Sequence, residues 1–215
     1  MRIQKLWLTA AFSLATITSA QAQTPAGFKT LASTAALQTS LAATARSTQS
    51  ISSDFTQVKH MKMMNDKVSS RGKFYFRKED KIRIEYQSPF QYLLVMNGGQ
   101  IMVKDEQKSN KVNTRNSKTM QSVNRVMMDC MRGTVFTNKD FNVKAYDSKG
   151  QYLLQLSPVN NAMKGLFARI EVYLDKADNS VSKLVMSEQG GDFTEMTFSN
   201  KKTNTPLSDA LFSVR

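Results

Sequence analysis

The sequence predicts a mainly β protein: one large, strongly curved antiparallel sheet of about eleven strands, with two helices lying across its concave face. Three observations carry this. From Ile51 onward apolar and polar residues alternate with a period of two. The runs are short and separated by turn residues at Asn97-Gly98-Gly99, Asp147 to Gly150, Asp175 to Asn179 and Gly190-Gly191-Asp192. Downstream of the N-terminal apolar run, helical spacing occurs in only two places, Thr34–Ser47 and Thr119–Arg132.

The first element is an address label. Arg2 and Lys5 precede an apolar run from Leu6 to Ile17, and Ala20-Gln21-Ala22 supplies the small residues of a cleavage site. Residues 1–22 are therefore expected to be a signal peptide. The run is shorter than the ~20 residues a membrane span needs, and Thr9, Ser13 and Thr16 interrupt it. No cysteine follows the cleavage site, so the chain is not expected to be acylated there. Residues 23–215 are expected to form one soluble, exported domain.

Net charge is +13 for the full chain, and Arg2 and Lys5 account for two of those charges. Such a basic chain suits nucleic acid, an anionic membrane surface or an acidic partner. Export argues against nucleic acid, and the charges alternate along strands as on a solvated face. The single cysteine, Cys130, permits no internal disulfide, and its Met127, Met128 and Met131 neighbours indicate a buried structural thiol.

Residues 23–29 read as a loose segment. Thr34–Ser47 is Ala-rich, with Leu37, Leu41 and Ala45 at spacings of four and Ser33 or Thr34 as cap: an amphipathic helix. Strands are expected near 51–62, 68–78, 81–88, 91–96, 100–105, 109–115, 140–147, 151–157, 166–175, 181–188 and 192–199. Links this short make consecutive strands antiparallel neighbours. Between them Met120, Val123, Met127 and Cys130 or Met131 recur at helical spacing, and Gly133 is placed to stop that helix.

The stretch Ser70–Pro89 shows the sheet most clearly. Phe74, Phe76 and Lys78 share one parity, and Lys73, Tyr75 and Arg77 the other. After Glu79-Asp80, Ile82, Ile84 and Tyr86 alternate with Lys81, Arg83, Glu85 and Gln87. One face is apolar up to Lys78, and the other is a ladder of charges expected to face water. An inner face carrying Phe55, Phe74, Phe76, Ile82, Ile84 and Tyr86 must be buried. Two modest helices do not obviously fill so wide a sheet, so it either packs as a sandwich or wraps around a cavity. Thirteen methionines suit a pocket for variable apolar ligands and equally suit core filling.

Catalytic and metal chemistry are not expected. His60, the only histidine, sits between Lys59 and Met61 with no G-x-S-x-G context, and the carboxylates lack calcium-loop spacing. No cofactor is implied. The glycine pairs 98–99 and 190–191 lie between strands, so they are turns rather than phosphate cradles.

Gly72-Lys73-Phe74-Tyr75-Phe76-Arg77-Lys78, the following strand ending Tyr86-Gln87-Ser88-Pro89, and the Asn-Gly-Gly turn together resemble the core of the periplasmic lipoprotein carrier (LolA-type) family. Asp54-Phe55-Thr56-Gln57, Thr197 to Asn200 and Leu207 to Phe212 extend that resemblance over Ile51–Val214. It departs at Lys78-Glu79, where the family has Arg-Pro.

The resemblance implies an unclosed β-barrel lidded by helices, whose apolar cavity holds the acyl chains of lipoproteins and hydrolyses nothing. It implies cargo received from an inner-membrane ABC transporter complex and passed to an outer-membrane acceptor by a periplasmic monomer. The cavity set is then Phe55, Phe74, Phe76, Ile82, Ile84 and Tyr86 from strands, with Met120, Val123, Met127 and Met131 from the lid. Lys78 occupies the family's functional arginine position and is expected to latch the lid through carbonyls at a helix end, although Glu79 is placed to draw it away. Two alternatives stay open: a lipid- or lipoprotein-binding or sensing module of related fold, and an exported hydrolase of acylated substrates using His60 as base.

Overall fold

The computed structural model describes residues 24–64, 66–97, 100–105, 109–110 and 126–214. The expected signal peptide, strand residues 111–115 and lid residues 119–125 lie outside the described residues. In the first half are β1 (Lys29–Thr30), α1 (Ala35–Ser47), β2 (Ser50–Met61), β3 (Asp66–Arg77), β4 (Lys81–Ser88), β5 (Tyr92–Asn97) and β6 (Gln100–Asp105). Then come β7 (Ser109–Asn110), helix α2 at 126–132, β8 (Phe141–Asp147), β9 (Gln151–Pro158) and the short α3 (Asn161–Lys164). The chain closes with β10 (Arg169–Asp175), β11 (Val181–Ser187), β12 (Phe193–Thr203) and a 3₁₀ turn at Asp209–Phe212.

All eleven expected strands are present, and the twelfth is β1. It begins at Lys29, the last residue of the segment read as loose, and with Thr30 adds to the edge of β8, opposite Asp147 and Tyr146. The order across the sheet is β1-β8-β9-β10-β11-β12-β2-β3-β4-β5-β6-β7, with every neighbour antiparallel. Besides the β1–β8 edge, one long-range junction pairs β12 with β2, setting Phe198 opposite Phe55 and Met196 opposite Gln57. Strands β1 and β7 stand at opposite ends and do not meet among the described residues, so the barrel is unclosed.

The concave face holds the main core. Phe55, Phe74, Phe76, Ile82 and Ile84 are buried together with Leu37 and Leu41 of α1 and Val126, Met127 and Met128 of α2. Phe74 meets Phe198 edge to face at 5.8 Å, and Phe55 meets Tyr86 at 5.0 Å, geometries that aromatic quadrupoles favour. The period-two reading of β3 and β4 therefore places each inward side chain correctly.

The convex face differs from the expected ladder of charges. Residues 205–214 run across it as a strap, and Phe212 is buried against Val95 and Met102, with Tyr75, Leu93, Leu207 and Leu211 packed around them. Strap carbonyls accept from the outward arginines: Arg77 Nη1 donates to Leu207 O at 2.9 Å, and Arg83 Nη1 to Leu211 O at 3.2 Å. Arg77 also lies over the Phe212 ring at 5.2 Å and pairs with Asp209. The ladder is real, but in β3 and β4 it grips a segment of this chain instead of facing water alone.

One glycine decides how β3 and β4 approach. The register shifts between Arg71 and Gly72, so Arg71 faces Ser88 and Gly72 faces Tyr86. A Cβ at Gly72 would lie 1.9 Å from the Glu85 carbonyl oxygen and 2.9 Å from the Phe55 ring. Backbone cannot yield there as a flexible side chain can. Gly72→Ala should thus destabilise the fold by about 2 kcal/mol or more in denaturant unfolding, the scale of core overpacking.

The strap has an acid-sensitive anchor. A hydrogen bond from Arg77, its charge, and that of Lys81 hold the Asp209 carboxyl below its usual 3.8. A carboxyl depressed in the folded state stabilises the fold above its unfolded value and loses that contribution as pH falls through the folded one. Amide exchange in residues 207–214 should accordingly speed up below about pH 3.8 beyond the intrinsic trend. Asp209→Asn should abolish this pH dependence.

Candidate functional site

The candidate site is the apolar interior under α1 and α2. Inward positions of β2, β3, β4, β10, β11 and β12 form its floor, and α2 supplies its roof because Val126, Met127, Cys130 and Met131 fall on one side of the helix. Between roof and floor lies a void of about 30 Å³, lined by Phe74, Met127, Met131, Val172, Leu184 and Phe198 among others. That is room for one or two water molecules.

The expected cavity residues divide accordingly. Phe74, Met127 and Met131 line the void. Phe55, Phe76, Ile82 and Ile84 are buried in the packed core, and Tyr86 is partly buried beside it. Met120 and Val123 lie outside the described residues. Among the described residues, α1 and the methionines of α2 pack against much of the concave face that the sequence reading left uncovered.

Tyr86 marks a polar lip at the end of the floor away from the helix clamps. Its hydroxyl donates to Gln57 Oε1 at 2.9 Å, and its ring contacts those of Phe55 and Tyr92. Burial, with a smaller effect of Tyr92, pushes the phenol up to about 12, so it stays neutral at physiological pH. Burial, then Asp129, likewise pushes the Cys130 thiol up to about 12. A thiol so poorly ionised is a weak nucleophile, which fits the structural reading.

Both helices are held at one rim. The Lys78 Nζ donates to the Arg46 carbonyl in the last turn of α1 at 3.0 Å, a favourable position for a cation. Two residues on, Asp80 pairs with Arg132 at the end of α2. A single hairpin turn thus touches the C-terminal ends of both helices. Asn179, in the β10–β11 turn, donates to Ser40 Oγ at 2.8 Å and Thr44 Oγ1 at 3.0 Å. Asn204, just beyond β12, donates to Ser47 O at 3.2 Å and accepts from the Gln49 N–H at 2.7 Å.

This geometry depends on left-handed backbone. Glu79 and Asp80 have φ of 74° and 61° in the three-residue link, 78–80, that sets Arg77 opposite Lys81. Proline, with φ fixed near −65°, cannot occupy Glu79's place in this turn, so Lys-Glu for Arg-Pro changes the turn itself. Glu79 does not draw Lys78 away: its carboxylate lies 3.8 Å from Lys81 Nζ. Asn179 and Asn204 also have positive φ, which asparagine tolerates better than most residues.

At the end of α2, Gly133 has φ of 69° and its N–H bonds to Cys130 O while Thr134 N–H reaches Asp129 O. This is the expected glycine stop, in Schellman form. Gly133 has a second reason to lack a side chain: a Cβ there would lie 2.9 Å from the Ala42 Cα. The two helices meet backbone to backbone.

His60 stands elsewhere. Its ring stacks on Phe193, 4.0 Å away and 11° from parallel, and the two are register partners on the convex face. Among the described residues no group of three or more His, Cys, Asp or Glu side chains is placed to hold a metal ion. The Asp80–Arg132, Asn179 and Asn204 clamps escaped the sequence reading. The only available signal was asparagine or aspartate at strand ends.

An unclosed antiparallel half-barrel with its apolar concavity covered by rim-held helices defines the class of protein. A family model described as outer membrane lipoprotein carrier protein LolA matches residues 46–215, and the chain belongs to that family. An outer-membrane lipoprotein carrier protein of Methylococcus capsulatus is 24% identical over 167 residues, covering 77% of each protein. The crystal structure of a LolA superfamily protein from Nitrosomonas europaea aligns with a TM-score of 0.44 at 8% identity, over 82% of this chain and 97% of that one. The Mycobacterium tuberculosis lipoprotein LppX aligns at 0.44 and 13% identity, over 80% and 96%. No described helix is long and apolar enough to cross a membrane.

The rim contacts are exposed, so each is weak by itself. Lys78→Leu should change unfolding stability by less than about 1 kcal/mol while speeding amide exchange in residues 44–48 at the end of α1. Lys78→Arg should restore protection. Asp80→Asn should act instead on residues 129–134.

Proposed function

We propose that this chain is a periplasmic carrier that takes the acyl chains of lipoproteins into the space now filled by α2. The observation that carries this reading is a methionine-rich roof, closed over an apolar floor and held at its rim by exposed polar contacts. Such a roof is removable. When α2 lifts, Met127 and Met131 leave Phe74, Leu184 and Phe198, and an acyl chain takes their place. Each CH₂ buried gains about 0.8 kcal/mol, while the displaced helix loses comparable contacts. The difference is small enough for cargo to be released.

In this reading Phe55, Phe74, Phe76, Ile82, Ile84 and Tyr86 form the binding floor, and Met120, Val123, Met127 and Met131 the moving roof. Lys78 is the latch on α1, replacing the family arginine, and Asp80 is the latch on α2. Residues 1–22 direct export and are removed, leaving one domain from residue 23. The carrier acts as a monomer by binding, without cofactor or hydrolysis. It receives lipoproteins from an inner-membrane ABC transporter complex and delivers them to an outer-membrane acceptor.

The test is saturable binding of a fluorescent apolar probe by the natively folded protein, displaced by an acylated peptide. Met127→Asp with Met131→Asp should weaken probe binding more than folding, since carboxylates are costly in the closed interior and a lifted helix exposes them to water. Equal losses would make these ordinary core residues. A native protein that binds neither probe nor acyl peptide refutes the carrier.

A further inference from the structure

The strand order gives the barrel two unlike rims. Antiparallel strands put the β3–β4 turn, the β10–β11 turn and the end of β12 at one rim, where the helices are clamped. The opposite rim carries the links β2–β3, β4–β5, β9–β10 and β11–β12. Every large apolar side chain that stands exposed among the described residues is at this second rim: Met63, Met64 and Val68 on the β2–β3 hairpin, Phe90 in the β4–β5 link, and Val159 after β9.

The hairpin also projects past β4 on one side, while on the other β12 accompanies β2 as far as His60. Strand β4 ends at Ser88, opposite Arg71, so Asp66 to Ser70 pair only with β2 on the other side. Five residues at about 3.3 Å each carry the tip roughly 16 Å beyond β4. At that tip Met63 is 96% exposed and Met64 65%. Phe90, 69% exposed, stands lower on the same rim. The part of the tip that stands clear of β4 is narrow, and a flat protein interface needs a broad matched surface. A bilayer interface deforms around a narrow apolar tip.

The charges beside the tip agree. Lys62, Lys67 and Arg71 are exposed and form no ion pair among the described residues. Lys59 is paired with Glu188 at 3.2 Å. The two remaining carboxylates are turned to backbone: Asp66 Oδ1 accepts from Lys67 N–H, and Asp192 Oδ1 from Lys62 N–H. Lys67 and Arg71 are therefore free to reach lipid phosphates, and Lys62, whose stem lies across Gly191, keeps an unpaired, exposed side chain on the same rim. The whole chain, at +13, is drawn to the same kind of surface.

We infer that the β2–β3 hairpin is a docking finger for anionic bilayers, with Met63 and Met64 entering the interface, Phe90 as a second contact, and Lys62, Lys67 and Arg71 binding lipid phosphates. It points the rim opposite the helix clamps at the membrane. This goes beyond the carrier reading and does not depend on it, because the finger shares no residue with the roof or the binding floor.

Cosedimentation of the chain from residue 23 onward with vesicles of phosphatidylglycerol and phosphatidylethanolamine tests the inference. Binding is expected, weaker on phosphatidylcholine alone and falling as salt is raised. Met63→Ser with Met64→Ser should reduce it about tenfold or more. Lys62→Glu with Lys67→Glu should do likewise at low salt and far less at high salt. Apolar-probe binding should be unchanged in both variants, so the finger and the cargo site are read separately. Wild-type protein that ignores anionic vesicles overturns the proposal and turns the tip toward a protein partner. Vesicle binding that survives both substitutions overturns it as well.

Discussion

An unclosed sheet cannot bury its concave face by itself, and the rest of this molecule answers to that constraint. The strands are joined by continuous backbone hydrogen bonding from β1 to β7. The helices share none of it. What holds them is the apolar contact of Leu37, Leu41, Val126, Met127 and Met128 with the floor, and a handful of side-chain bonds at the rim. The sheet is the stiff part and the cover the loose part, by the kind of bond each uses.

The convex face follows from the same curvature. Bending so many strands toward one side spreads the side chains on the other, and Val95 and Met102 would stand in water. The C-terminal strap lays Phe212 over them, and Arg77 and Arg83 hold its carbonyls. Lysine would supply the charge at those positions, but arginine also supplies a plane: Arg77 lies over an aromatic ring while donating from its edge. These ladder residues are side-chain fasteners between a strand and a segment more than a hundred residues later.

Most of the sheet was legible because alternation is a local property. Phe74, Phe76, Ile82 and Ile84 announce their face by contrast with Lys73, Tyr75, Arg77 and Arg83. The strap was illegible because contrast fails in Leu93-Leu94-Val95, where three apolar residues in a row conceal that Leu94 faces in while Leu93 and Val95 face out. The clamps were illegible for another reason: Asp80 and Arg132 are far apart in the chain, and no periodicity links them. Lys78 was legible by parity and resemblance, but not which helix it would reach. The filling of the interior turned on side-chain volume, which a pattern of apolar positions does not report.

The contact of Gly133 with Ala42 bears on how many moving parts the cover has. Where helices touch through long side chains, each can rock while the side chains change rotamer. Here a glycine with left-handed backbone is set 2.9 Å, at its missing Cβ, from the other helix's main chain, and no side chain lies between to absorb a shift. The end of α2 cannot advance toward α1 and can only carry it along or separate from it. The cover therefore has the mechanics of a hinged plate rather than of two independent flaps, and a push on either helix is felt at the fastenings of both.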